Sequence, residues 1–197
     1  MKFLLFIFVF CTVIVGHAQQ KPKATPDSVQ VKSNILSFYK WYNKNWRRLA
    51  AFELYKSKKG KKGPPYIINW KEAEASFTYL RNQAPFLSKA FIESERQAFK
   101  NIDAEFVKYP EDEVPAGFDY DRFTHTQEDT KWFWQELNKK TNKWAIDFGG
   151  DEANVVVTDR EADKGQYIFC GKLLKEKGRW MIAKLSCDPT PETKDLK

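Results

Sequence analysis

The stretch GFDYDRFTHTQED, Gly117–Asp129, gathers four acids, a histidine and a glutamine into thirteen residues. Two kinds of chemistry fit it. The first is acid–base catalysis, because a carboxyl group placed in an apolar pocket keeps its proton to higher pH and can shuttle it near neutrality. Asp119, Asp121 and His125 are the candidates, with Tyr120 or Tyr42 offering a hydroxyl to a developing oxyanion. If the segment is extended, Asp119, Asp121 and Phe123 share one face and line a pocket mouth. Tyr42, Tyr120, Phe123 and Gln127 are then the expected ligand-binding set.

The second reading is a scaffold. Asp119 and Asp121 accept backbone N–H groups in turns, Arg122 pairs with one of them, and Gln127 satisfies a strand edge. Thr126 with Asp129 caps a short helix running into TKWFWQEL. Nothing in the spacing demands a proton shuttle, so catalysis does not follow from the residues alone.

Other chemistries lack their parts. There is no GxSxG elbow for a serine nucleophile, and CGKLLK has no second cysteine nearby for redox work. Gly149, Gly150 and Gly165 do not form a phosphate loop. Asp112, Asp119, Asp121 and Asp129 lack the spacing of a calcium loop. No metal and no cofactor are expected.

The elements that must position these residues follow an N-terminal MKFLLFIFVFCTVIVGHA. A lysine, a thirteen-residue apolar run and small residues at Gly16 and Ala18 predict a secretory signal peptide over residues 1–18, too short for a membrane span. Phe10 before Cys11 argues against a lipid anchor. The expected product starts at Gln19 and is periplasmic or secreted. His125 is its single histidine, and Cys170 and Cys187 are its two cysteines, too few for a structural zinc site. The formal charge of the chain is +7. That favours solubility and weak attraction to anionic surfaces; no nucleic-acid partner is expected of an exported chain.

Residues 19–27 read as a flexible leader, 28–187 as one domain, and 188–197 as a disordered tail. Val31, Ile35, Phe38, Tyr42, Trp46 (or Asn45) and Leu49, widened by Tyr39, mark a five-turn helix capped by Ser28. YKSKKGKKGPPY follows as a loop, and Lys58, Lys59, Lys61 and Lys62 could give it weak contact with anionic surfaces. A second helix starts at Asn69, with Glu72 completing a capping box, and presents Trp70, Ala73, Phe77 and Leu80. A third starts near Ser88, with Phe91, Ile92, Phe99, Ile102 and Phe106 inward and Glu93, Glu95, Arg96 and Lys100 toward solvent.

The period then shortens to that of strands at 143–148, 154–159, 166–175 and 179–187. Lys177-Gly178 is the turn between the last two. Pairing through that turn puts Cys170 and Cys187 on one sheet face in diagonal relation. The register allows a bridge, with two buried thiols as the other outcome. Helices followed by a meander specify an α+β domain: three N-terminal helices on a curved antiparallel sheet.

SFYKWY in the first helix, FLSKAF, the acidic GFDYDRFTHTQED and the closing NVVVTD and GKLLKEKGRWMIAKLSC together resemble an uncharacterised family of exported bacterial proteins, of the type common in Bacteroidetes, with the nuclear transport factor 2-like (cystatin-like α+β) fold. The resemblance spans Ser28 to Cys187. It implies a cone of helices on a bent sheet with a pocket between them, and it carries over no catalytic residue. That fold hosts isomerases, dehydratases and binding modules alike.

Three functions are open at this point. One is an exported, non-enzymatic binding or structural module of the cell envelope, acting as a monomer or homodimer on a small molecule or an envelope protein. Another is an isomerase or hydro-lyase using Asp121 or Asp119 with His125. The third is an inhibitor or immunity-type protein acting through surface contact.

Overall fold

The apolar repeat that begins at Val31 folds as helix α1, Asp27–Ala50, and buries Val31, Ile35, Phe38, Tyr39, Tyr42 and Leu49. The structure is a computed structural model that describes residues 25–60, 63–159 and 167–186. The expected signal peptide, residues 19–24 of the expected leader, Lys61, Lys62, Cys187 and the expected tail lie outside the described residues. Trp46, expected in the buried stripe, is instead 40% exposed. Ser28 does not cap the helix. The N-cap is Pro26, without a side-chain bond, and Asp27 in the first turn is held 2.9 Å from Lys175.

Strands β1, Tyr55–Ser57, and β2, Tyr66–Ile68, form a small antiparallel hairpin. Part of the expected lysine loop is therefore strand, and Lys58 N–H donates to Pro65 O at 2.8 Å to continue the pairing. The reason is aromatic. Tyr55 meets Tyr66 across the hairpin at 5.6 Å and Phe118 at 4.7 Å, and such cross-strand pairs outweigh weak strand propensity.

Helix α2, Trp70–Gln83, follows Asn69, whose side chain makes no capping bond. Asp103 of helix α3, Lys89–Lys108, anchors this start instead, accepting from Ile68 N–H at 3.1 Å and Trp70 Nε1 at 3.3 Å. Ser88 caps α3 as expected, with its hydroxyl accepting from Phe91 N–H at 3.0 Å. Helix α4, Thr130–Leu137, is capped by Asp129 alone, which accepts from Trp132 N–H at 2.7 Å. Thr126 makes its own turn by accepting from Glu128 N–H.

Four further strands lie among the described residues: β3, Lys143–Gly149; β4, Glu152–Thr158; β5, Tyr167–Glu176; and β6, Arg179–Lys184. They form an antiparallel meander in the order β3-β4-β5-β6. Lys177 and Gly178 both have positive φ, 51° and 77°, as the tightest hairpin turn requires. The pairing through that turn runs from Glu176↔Arg179 to Leu173↔Ile182, then slips by one at a bulge to Lys172↔Lys184. Cys170 is disulfide-bonded. The pairing expected with Cys187 falls outside the described residues.

The architecture is thus α+β: among the described residues the three N-terminal helices and the meander are as expected, the short helix into TKWFWQEL is the fourth helix, and the β1–β2 hairpin adds a second antiparallel sheet. Helix α1 packs on α4 and β6, α3 on β6 and α2, and α4 on β5. The loop at Phe86–Ser88 pairs with β6, donating from Ser88 N–H to Ile182 O at 2.8 Å and accepting at Phe86 O at 2.9 Å. No described helix is long and apolar enough to cross a membrane.

Candidate functional site

Gly117–Asp129 is not extended. It folds back on itself, so the expected alternation of Asp119, Asp121 and Phe123 on one face does not occur. Asp121 N–H donates to Thr126 O at 3.0 Å, and His125 N–H donates to Asp121 O at 2.8 Å. His125 takes φ 53° to close the turn, a left-handed conformation that histidine tolerates better than most side chains. Asp121 Oδ1 accepts from both Phe123 N–H and Thr124 N–H at 2.9 Å. The turn is wrapped around a carboxylate.

The other oxygen of that carboxylate faces α1 and accepts the hydroxyl of Tyr42. One turn earlier on the same helix face, the Tyr39 hydroxyl donates to Phe123 O at 2.6 Å. Two tyrosines of one helical stripe therefore pin the loop from below. Burial, and then the Asp121 charge, raise the pKa of both hydroxyls above the tyrosine value of 10.0. Phe123 is buried, its ring 4.7 Å from the Tyr42 ring and 6.1 Å from Phe38.

Arg122 points the other way. It pairs with Glu95 of α3, not with Asp119 or Asp121, and its guanidinium lies 4.2 Å from the Phe99 ring centroid. Glu95 is only 18% exposed, so its expected place on the solvent face is corrected. The signal was present in the sequence. Phe91, Glu95 and Phe99 are spaced by four, which sets Glu95 inside the apolar stripe, where a charge needs a partner.

A cleft of about 170 Å³ opens where the C-terminal half of α1, helix α2 and this loop meet. Tyr42, Tyr120, Asp121, Arg122 and Phe123 line it, together with Trp46, Leu49, Leu54, Leu80 and Phe118. The structure brings three of the four expected ligand-binding residues to the cleft. Gln127, the fourth, is exposed and donates to Asp119 O at 3.2 Å within the loop, not to a strand edge.

Of the three catalytic candidates, Asp121 alone reaches the cleft wall. Asp119 is exposed. His125 Nε2 faces Leu185 O. A carbonyl only accepts, so Nε2 carries the proton in this bond. The ring is tied to the chain just beyond β6, with the Tyr120 ring 6.0 Å away. Among the described residues no three His, Cys, Asp or Glu side chains come together as metal ligands.

Compared with protein-family models, curated proteins and solved structures, the chain finds no match. The geometry of the cleft therefore carries the functional reading. Trp46, Leu54 and Phe118, not anticipated as site residues, reach it from three separate segments, and no local spacing in the sequence links them.

Proposed function

We propose that the chain is an exported, non-enzymatic binding module of the cell envelope, that its α+β architecture is the nuclear transport factor 2-like cone of the family it resembles, and that the Tyr42–Asp121 cleft receives a small group from a ligand or an envelope protein. The observation behind this reading is the Asp121 carboxylate, which accepts two backbone N–H groups on one oxygen and the Tyr42 hydroxyl on the other. A carboxylate engaged by three donors serves as a fixed wall; a general base must be free to reach the proton it takes. A cleft of 170 Å³ falls below the roughly 300–1,000 Å³ of sites for drug-sized ligands. It suits one side chain or a small polar molecule, met at the rim by the exposed rings of Trp46 and Tyr120.

An isomerase or hydro-lyase is the second reading. It is favoured by one feature, a carboxylate and two tyrosine side chains bordering the same cleft. Native mass spectrometry of gently purified protein tests the first reading. An added ligand mass or a co-purifying envelope protein is expected, and it should diminish in Tyr120→Ala. The bare chain, with no partner recovered, would count against it. Asp121→Asn separates the two readings: the binding module loses melting temperature and occupancy and has no turnover to lose. Loss of a turnover at unchanged melting temperature would instead establish the enzyme.

A further inference from the structure

The face of α1 that turns away from the core stripe is not covered. It forms one wall of an open groove of about 740 Å³, with α4 and the edge strand β3 as the other. Leu36 and Ile146 and the side chains of Trp134 and Trp144 make its middle apolar, and Lys32 and Lys40 are the ionisable groups in its wall. Among the described residues no carboxylate lines it. Helix α1 carries five cations against one acid, and that acid, Asp27, is engaged by Lys175.

We infer that this groove binds a long-chain carboxylate, an amphiphile of the fatty-acid class. The size fits, because sites for such molecules span roughly 300–1,000 Å³. The head would lie at Lys32, whose ammonium sits 4.9 Å from the Trp144 ring centroid. The chain would run along the helix toward Lys40, a distance of about 12 Å at the rise of an α-helix, against Leu36, Ile146 and the two indoles. The charge of the wall selects an anion over a neutral or cationic amphiphile. The indole N–H groups of Trp134 and Trp144, two of the lining residues, are buried without a partner among the described residues, donors that the fold leaves open.

The test is a titration of the full chain with decanoate below its aggregation concentration, followed by tryptophan fluorescence. Saturable binding is expected, weakened about tenfold by Lys32→Glu through loss of a charge-assisted contact. Lys40→Glu should have a smaller effect. Both lysines are exposed, so the melting temperature of either variant should match the parent. Lys32→Glu should leave any mass bound at the Tyr42 cleft unchanged in native mass spectrometry, because Lys32 lines the groove and not that cleft. Decanol binding as tightly as decanoate, indifference to Lys32→Glu, absence of saturation, or binding only to anionic phospholipid vesicles would each overturn the inference.

Discussion

Tyr39 and Tyr42 make the candidate site sensitive to alkali. Both hydroxyls keep their protons in the folded state above the ordinary tyrosine value of 10.0. Unfolded tyrosines ionise near that value, so above it the unfolded chain binds fewer protons than the folded one. Stability from this pair is therefore complete below pH 10 and falls as pH rises beyond it. Urea denaturation between pH 8 and about 11.5 should show this decline, and Tyr42→Phe should flatten it. At neutral pH the same variant should cost about 1–2 kcal/mol, because Asp121 loses its side-chain donor. An alkaline slope identical to the parent's would show that Tyr42 is not the group responsible. At this scale much was legible. The Phe38–Tyr39–x–Trp41–Tyr42 stripe fixes where the hydroxyls start. Their acceptors, Phe123 and Asp121, lie 84 and 79 positions away, beyond the reach of any local pattern.

Among the elements, the β5–β6 hairpin shows both what a turn can dictate and where its influence stops. Lys177-Gly178 sets the register, and it holds to Leu173↔Ile182. The slip beyond that pair rests on Gly171. A Cβ there would stand 2.6 Å from Lys184 O and 2.7 Å from the Phe169 ring, closer than real contacts allow. Gly171→Ala should therefore destabilise the protein by about 1–3 kcal/mol through overpacking. Chemical denaturation measures this directly, and a variant as stable as the parent would mean that the strand edges have room to part. The helix starts divide in the same way. Ser88 acts within three residues and was readable as a cap. The start of α2 falls at Asn69 as expected, but its side chain makes no capping bond, because the anchor, Asp103, arrives from another helix. The spacing of Glu95 from Phe91 and Phe99 marks it as part of the apolar stripe, but its partner, Arg122, is supplied by the loop and not by any local pattern.

Over the whole molecule, the prediction concerns export. Residues 1–18 carry the pattern of a cleaved leader, so exported material should have an intact mass that begins at Gln19. Retention of the uncleaved mass would refute that reading. The excess of lysine and arginine over acid, +7 in the whole chain and +6 once Lys2 leaves with residues 1–18, favours solubility of such a product. The packing of α1 on both α4 and β6, with α3 on β6, closes the core from both ends of the sequence. This scale was legible only in outline. Helices followed by a meander specify α+β, but the β1–β2 hairpin depends on Tyr55 meeting Phe118, which no turn signal announces.

The sequence by itself determined the features whose causes lie within a few residues: the stripe of α1, the Ser88 cap, the positive-φ turn at Lys177-Gly178 and the placing of the four-stranded meander after the helices. Backbone preference and side-chain periodicity act over one or two turns, so their marks survive in the linear text. The tertiary structure decided which of Asp119, Asp121 and His125 meets a cleft, that Arg122 belongs to Glu95, and that His125 is tied to Leu185, 60 positions away. Those outcomes depend on where separate elements come to rest. Burial of the aromatic core settles that, and the polar side chains then take the partners the packing brings within reach.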